Sequence, residues 1–220
     1  MHIYYGIPYS LEKNLGAEYN RYMNLLPNND DWMVFQDGDI MFLTPDFGHH
    51  IAEVIKKLPD AGIITCKTNR IRQKLQRHNE DSPDILVHRL IAKDLDKKFR
   101  GQYRKINDNI SGFFMAIQKK TWLEVGKFSE KDGKLLTVDS AFSKKIIKRG
   151  KPIYVMQGLY VFHYYRFAEG WNYIEHLTNA KEYRERNSER GIRNVRKVNR
   201  RGIRNITEVN KESRHIIKHR

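Results

Sequence analysis

Trp32-Met-Val-Phe-Gln-Asp37-Gly38-Asp39-Ile-Met-Phe-Leu43 is the stretch on which the reading of this chain turns. Its first five residues follow the polar run Asn28-Asn29-Asp30-Asp31 and read as a short buried strand. Asp37 and Asp39 then fall at the strand's C-terminal end, the edge where open α/β sheets hold their ligands. Two carboxylates this close repel each other unless a cation lies between them, and hard oxygen donors suit Mg²⁺ or Mn²⁺. A cation held by so few protein carboxylates completes its shell with substrate phosphates, which points to a nucleoside-diphosphate site. The same letters also fit a two-residue hairpin, Val-Phe-Gln-[Asp-Gly]-Asp-Ile-Met-Phe, which needs no ion.

Outward from this stretch the chain alternates strand and helix signals. His2–Ile7 reads as a first strand stopped by Pro8, with Tyr9, Lys13 and Asn14 in the polar loop at its end. Leu15, Tyr19, Tyr22, Met23 and Leu26 recur at helical spacing. Thr44-Pro45 opens a second helix with the face Phe47, Ile51, Val54, Ile55 and Leu58; His49 and His50 on it read as surface or boundary residues. Ala61–Cys66 has the continuous apolar character of a strand covered on both faces. The basic run from Lys67 to Ser82 is a long loop of the binding or lid kind. Ser82 and Pro83 cap a helix with the apolar face Leu86, Leu90, Ile91 and Leu95.

In the second half, Asn109–Ile117 reads as a strand, and Ser111-Gly112 at its start leaves room for a group to approach the backbone. A short helix over Lys120–Val125 ends at Gly126. Asp139 falls at the start of a helix running to Gly150, where a carboxylate also serves simply as a cap. Ile153–Met156 and Leu159–Phe162 read as two short strands, the second running into His163.

Composition bounds the rest. A chain of 220 residues with 40% hydrophobic side chains forms one α/β domain with an appendage. No apolar run approaches a membrane span, Met1-His-Ile-Tyr-Tyr-Gly lacks a signal peptide's basic-then-apolar order, and the single Cys66 excludes an internal disulfide. A cytoplasmic protein is expected, with its basic tail able to place it at the inner face of a membrane. Of the net charge of +15, residues 181–220 hold +9, from 14 Lys and Arg against 5 Glu. An 11-residue unit repeats there, Arg190–Arg200 and Arg201–Lys211, with an apolar stripe of Ile192, Val195, Val198, Ile203, Ile206 and Val209. A basic amphipathic helix of this kind suits an anionic membrane surface or nucleic acid phosphates; a solvated tail or an oligomer contact fits as well.

Asp37-Gly-Asp39 after a strand, Asp139 opening a helix and His163 after a late strand, in that order, resemble nucleotide-sugar glycosyltransferases of the GT-A fold, in a short family 2-like form. The flanks resemble the family too: Asn14-Leu-Gly-Ala-Glu-Tyr-Asn20 before the aspartate motif, and Trp122-Leu-Glu-Val-Gly-Lys-Phe-Ser-Glu130, where the family pattern is Trp-x-x-Val-Gly-Gly-Phe-x-Glu. The resemblance covers about residues 2–168. It implies a Rossmann-like GT-A domain over 1–170, with a mixed central sheet and helices on both faces, and a basic helical extension over 171–220. It also implies transfer of a sugar from a nucleoside-diphosphate sugar, UDP-linked in the first instance, to the hydroxyl of a glycan, lipid-linked or other acceptor, with inversion. Asp37, Asp39 and His163 would hold Mn²⁺ or Mg²⁺, and Asp139 would be the base. Pro8, Tyr9, Lys13, Asn14, Gly38, Ser111 and Gly112 would meet the donor, and Trp122 the acceptor. Three departures stand out: only 36 residues precede Asp37, so the base pocket is abbreviated; Val138 replaces the Glu of the usual Glu-Asp; and Lys127 replaces a glycine. The competing expectation is a catalytically inactive GT-A-like module that attaches through its basic tail.

Overall fold

Alternation along Trp32–Gln36 (β2) sets the layers. Trp32 and Val34 enter one hydrophobic core with Ile51, Val54 and Ile64, while Met33 and Phe35 enter a second with Tyr19, Met23 and Trp122. Successive strand residues face opposite sides of a sheet, so this strand is buried on both. A computed structural model describes residues 1–80, 82–131 and 137–164.

The described elements form an α/β fold. Strand β1 (Ile3–Gly6) leads to helix α1 (Leu15–Asn24), then β2, β3 (Ile40–Phe42), α2 (Phe47–Lys57), β4 (Ile63–Thr68) and α3 (Ile85–Phe99). There follow β5 (Tyr103–Ile106), β6 (Phe114–Gln118), α4 (Lys119–Val125), α5 (Val138–Lys148) and β7 (Ile153–His163). The seven strands make one mixed sheet in the order β1-β2-β6-β4-β7-β3, with β5 also on β7. β1 and β2 pair in parallel, as do β4 and β7; the other pairs are antiparallel. Residues of α1, α4 and α5 cover one face, and those of α2 the other.

Four expectations are corrected here. β2 and β3 are not a hairpin: β2 lies between β1 and β6, whereas β3 pairs with β7, Ile40 opposite His163. The two late strands are one, β7, with a bulge: Thr65 faces Val155 and Lys67 faces Tyr160, so two steps on β4 match five on β7. Gly158 lies in the bulge, where an added Cβ would sit 2.6 Å from the Phe99 carbonyl oxygen and 2.7 Å from the Arg100 nitrogen at the end of α3. Helix α3 begins after Asp84, whose carboxylate accepts from Leu86 N–H, and turns His88 and Ala92 inward while Leu86 and Leu90 are 59% and 69% exposed. His50 is completely buried, its Nε2 accepting from Gly101 N–H at 3.3 Å, because the chain between α3 and β5 passes over it.

Trp122 is also corrected. It was expected to wall an acceptor, but it is fully buried and donates from Nε1 to Asn20 Oδ1 at 3.0 Å. Asn20 on α1 uses its whole amide on this segment. Its Oδ1 also accepts from Phe128 N–H at 2.9 Å, and its Nδ2 donates to Phe128 O at 3.1 Å and Glu130 Oε1 at 2.7 Å. The Trp122–Glu130 pattern is therefore a latch that joins α1 to the chain leading into α5. Lys127 within it has φ 56°, and its Nζ lies 4.9 Å over the Trp122 ring.

Among the described residues no helix is long and apolar enough to cross a membrane. The extension expected over 171–220, with its 11-residue repeat, lies outside the described residues.

The latch makes a stability prediction. Asn20→Ala leaves the Trp122 indole N–H and the Phe128 N–H buried without their acceptor, at about 1–3 kcal/mol each. Urea unfolding should show a loss of about 3 kcal/mol; a loss below about 1 kcal/mol would mean that the latch is replaceable by water.

Candidate active site

The sheet pins the Asp37-Gly-Asp39 segment from both sides. Asp37 N–H donates to Phe113 O at 2.9 Å, at the start of β6, and Asp39 O accepts from Tyr164 N–H at 2.9 Å, at the end of β7. Asp37 O closes a turn by accepting from Ile40 N–H at 3.4 Å. The chain thus crosses the sheet edge between β2 and β3, and both carboxylates reach solvent there, each about half exposed.

His163 comes up from beneath. It is 2% exposed, and its ring stacks on Phe113 with centroids 5.4 Å apart. Its Nδ1 lies 2.9 Å from Arg70 O. A carbonyl only accepts, so Nδ1 carries a hydrogen; Nε2, turned to the carboxylates, donates to them when it too carries one and offers its lone pair to a cation when it does not. Nε2 faces Asp39 Oδ1 at 3.3 Å and Asp37 Oδ2 at 4.0 Å. One donor atom from each of the three residues lies within 4.8 Å of the others. Two carboxylate oxygens and an imidazole nitrogen whose other nitrogen is fixed by a carbonyl form a donor set that fits a divalent cation. Asn69 holds the strand end in place: its Oδ1 accepts from His163 N–H at 2.8 Å and its Nδ2 donates to His163 O at 3.3 Å.

The two aspartates are electrostatically unequal. Burial, reinforced by the charges of Asp39 and Asp139 and opposed by His163, pushes the Asp37 carboxyl up to about 6. The hydrogen bond from His163 holds Asp39 below the usual carboxylate range. Burial also raises Asp139, in the first turn of α5, above its ordinary value. The charges of Asp37 and Asp139 both reach the buried Tyr19 phenol and, after burial itself, help raise it.

Asp139 is held by the backbone the sequence marked beside it. Its Oδ2 accepts from Gly112 N–H at 2.7 Å and its Oδ1 from Ser140 N–H at 2.7 Å. A Cβ on Gly112 would lie 2.9 Å from Asp139 Cβ, so the group for which Ser111-Gly112 leaves room is the carboxylate itself. Ser111 is fixed in turn by Gln76, which accepts from Ser111 N–H at 2.7 Å and donates to Ser111 O at 3.0 Å and Thr65 Oγ1 at 2.8 Å. Sequence reasoning missed Asn69 and Gln76. Both are buried amides inside the Lys67–Ser82 loop, and their only sequence signal is an uncharged polar side chain in a basic run.

The remaining donor candidates divide. The loop after β1 lies beside the aspartates: a Cβ on Gly38 would meet Ile7 Cγ2 at 3.7 Å. Pro8 is half-buried in that loop, Tyr9 is 73% exposed, and Lys13 is exposed with φ 57°. Asn14 is engaged in the fold, its Oδ1 capping α1 at Ala17 N–H and its Nδ2 donating to Glu130 O at 3.1 Å.

No protein-family model matches the sequence, and no curated protein does. Among solved structures the chain is similar to GalNAc-T7, crystallised with UDP, GalNAc and Mn²⁺, at 12% identity and a TM-score of 0.49, over 80% of this chain and 41% of that one.

Proposed function

We propose that this chain is a glycosyltransferase that moves a sugar from a nucleoside-diphosphate sugar, with UDP the first candidate carrier, to an acceptor hydroxyl with inversion. The observation that carries the reading is the convergence of Asp37, Asp39 and His163 Nε2 at the sheet edge, with a further, half-buried carboxylate, Asp139, close enough to act on Asp37 through its charge. In this reading the three residues hold Mg²⁺ or Mn²⁺. Bound there, such an ion supplies positive charge against the diphosphate that departs.

The chain's own residues do the rest. Asp139 accepts the acceptor hydroxyl's proton as its oxygen bonds to the anomeric carbon and the bond from that carbon to the diphosphate oxygen breaks. A single displacement of this kind inverts the anomeric configuration. Burial favours Asp139 as a base by raising it, while Gly112 and Ser140 N–H keep both its oxygens oriented. Pro8, Tyr9 and Lys13 lie on the loop beside Gly38 and are the residues that would meet the nucleotide; Asn14 shapes that loop as the cap of α1. The test is calorimetric titration of UDP, GDP and CDP with and without Mn²⁺. Tight binding of one nucleotide only in the presence of the ion supports the reading, and metal-independent behaviour of all three sinks it.

Three outcomes follow for variants and pH. Asp39→Asn should raise the Kd for Mn²⁺ at least about 100-fold and remove metal-dependent nucleotide binding with it; normal turnover in that variant would refute the ligand set. Asp139→Asn should lower kcat by about 10²–10⁴ while nucleotide binding in Mn²⁺ persists; loss of binding as well would make Asp139 only a helix-end residue. The pH dependence comes from Asp37, which is raised to about 6 in the ion-free site. A cation needs it ionised, so protons compete as pH falls below about 6. Mn²⁺ affinity should drop about tenfold per pH unit there and level off above about 7; a flat profile between pH 5 and 7 would remove Asp37 from the shell.

A further inference from the structure

A concave groove of about 530 Å³ lies between the segment after β3 and the outer face of α3, walled by Leu43 and Pro45 on one side and Leu86 and Leu90 on the other. Its volume is that of a small-molecule site. Leu43 stands four residues beyond Asp39, and β3 occupies most of that interval. At a strand's rise the groove begins roughly 13 Å from the candidate metal ligand.

Leu86 and Leu90 on α3 lie outside both hydrophobic cores. Leu86, Arg89, Leu90 and Lys93 are spaced to share one helix face, and the two leucines are among the most exposed apolar side chains of the described residues. The groove's charges are one-sided. Its acidic members are neutralised: Arg100 pairs with Asp46 at 2.5 Å and with Asp96 at 3.3 Å. Arg89 and Lys93 pair with no carboxylate among the described residues. Thr44 on the same wall has a buried hydroxyl without a hydrogen-bond partner among the described residues. The groove therefore offers an apolar trough, two unpaired cations and an unsatisfied hydroxyl.

We infer that this groove binds the acceptor, and that the acceptor is a single-chain amphiphile with an anionic head, its apolar chain along Leu43, Pro45, Leu86 and Leu90 and its negative charge on Arg89 and Lys93. The inference rests on the glycosyltransferase reading for the word acceptor; the binding itself does not.

The test is titration of dodecyl phosphate, below its micelle concentration, into the full chain without metal or nucleotide, alongside butyl phosphate as the same head without the chain. Dodecyl phosphate should bind one to one and butyl phosphate should not bind measurably. The double variant Leu86→Ser/Leu90→Ser, both positions being exposed, should weaken dodecyl phosphate by about tenfold or more, and Arg89→Ala/Lys93→Ala should weaken it and reduce its salt dependence. Dodecyl phosphate affinity untouched by Leu86→Ser/Leu90→Ser would assign the amphiphile elsewhere, to the basic 181–220 segment, and overturn the inference; so would no binding, or equal binding of butyl phosphate. Asp39→Asn should keep the amphiphile affinity. Failure of the groove thus leaves metal-dependent nucleotide binding to stand or fall separately.

Discussion

Two backbone hydrogen bonds, Asp37 N–H to Phe113 O and Tyr164 N–H to Asp39 O, hold the site together. Left to itself, a three-residue segment with two carboxylates would swing them apart into water. Here its ends belong to strands on opposite sides of β6 and β4, so the seven-stranded sheet fixes their separation. The same constraint brings His163 beneath them, because β3 can continue from Asp39 only by pairing with the end of β7. The cost is a carboxylate partly withdrawn from water and set beside like charges, visible in the raised Asp37. A sequence otherwise consistent with its fold carries such a conflict where it binds something.

The three carboxylates differ because their surroundings differ. Asp39 has the imidazole and is lowered; Asp37 has burial and two like charges and is raised; Asp139 has burial with two backbone donors and is raised. Groups of one chemical type pushed in opposite directions are the usual basis for a division of labour in acid–base sites. Under the proposed reading it separates a metal ligand favoured in its ionised form, Asp39, from one that protons contest, Asp37, and both from Asp139, suited to accept a proton.

What the sequence made legible was local and periodic. Trp32–Gln36 and the face Ile51, Val54, Ile55 are found where expected, and the strand expected over Ala61–Cys66 is there two residues later, at Ile63–Thr68, because burial on both sides of a strand or one side of a helix writes itself into the spacing of apolar residues. The outer face of α3 misled for the same reason: Leu86 and Leu90 have the spacing of a core stripe, but the inner positions are taken by His88, which accepts from or donates to Tyr160 Oη at 2.7 Å, and by Ala92. Periodicity cannot tell a face turned to the core from one turned to a groove. The bulge in β7 was read as a break because Gln157-Gly158 looks like punctuation, whereas Gly158 is there to let the end of α3 approach. Asn69 and Gln76 were illegible, since what they do depends on partners 94 and 35 residues away.

Lys127 shows how a departure from a pattern gains a physical meaning. The resemblance places glycine there, and the backbone supplies the reason: φ is 56°, a left-handed conformation that disfavours a side chain by roughly 1–2 kcal/mol. The lysine offsets part of this by laying its ammonium over the Trp122 ring, a contact of about 0.5–1 kcal/mol at an exposed site. The same residue's carbonyl accepts from Lys145 Nζ at 2.7 Å, tying the latch directly to α5, the helix that begins at Asp139. Trp122, Asn20 and Lys127 therefore act on the site without touching it: they fix where α5 starts, and so where its first-turn carboxylate meets Gly112.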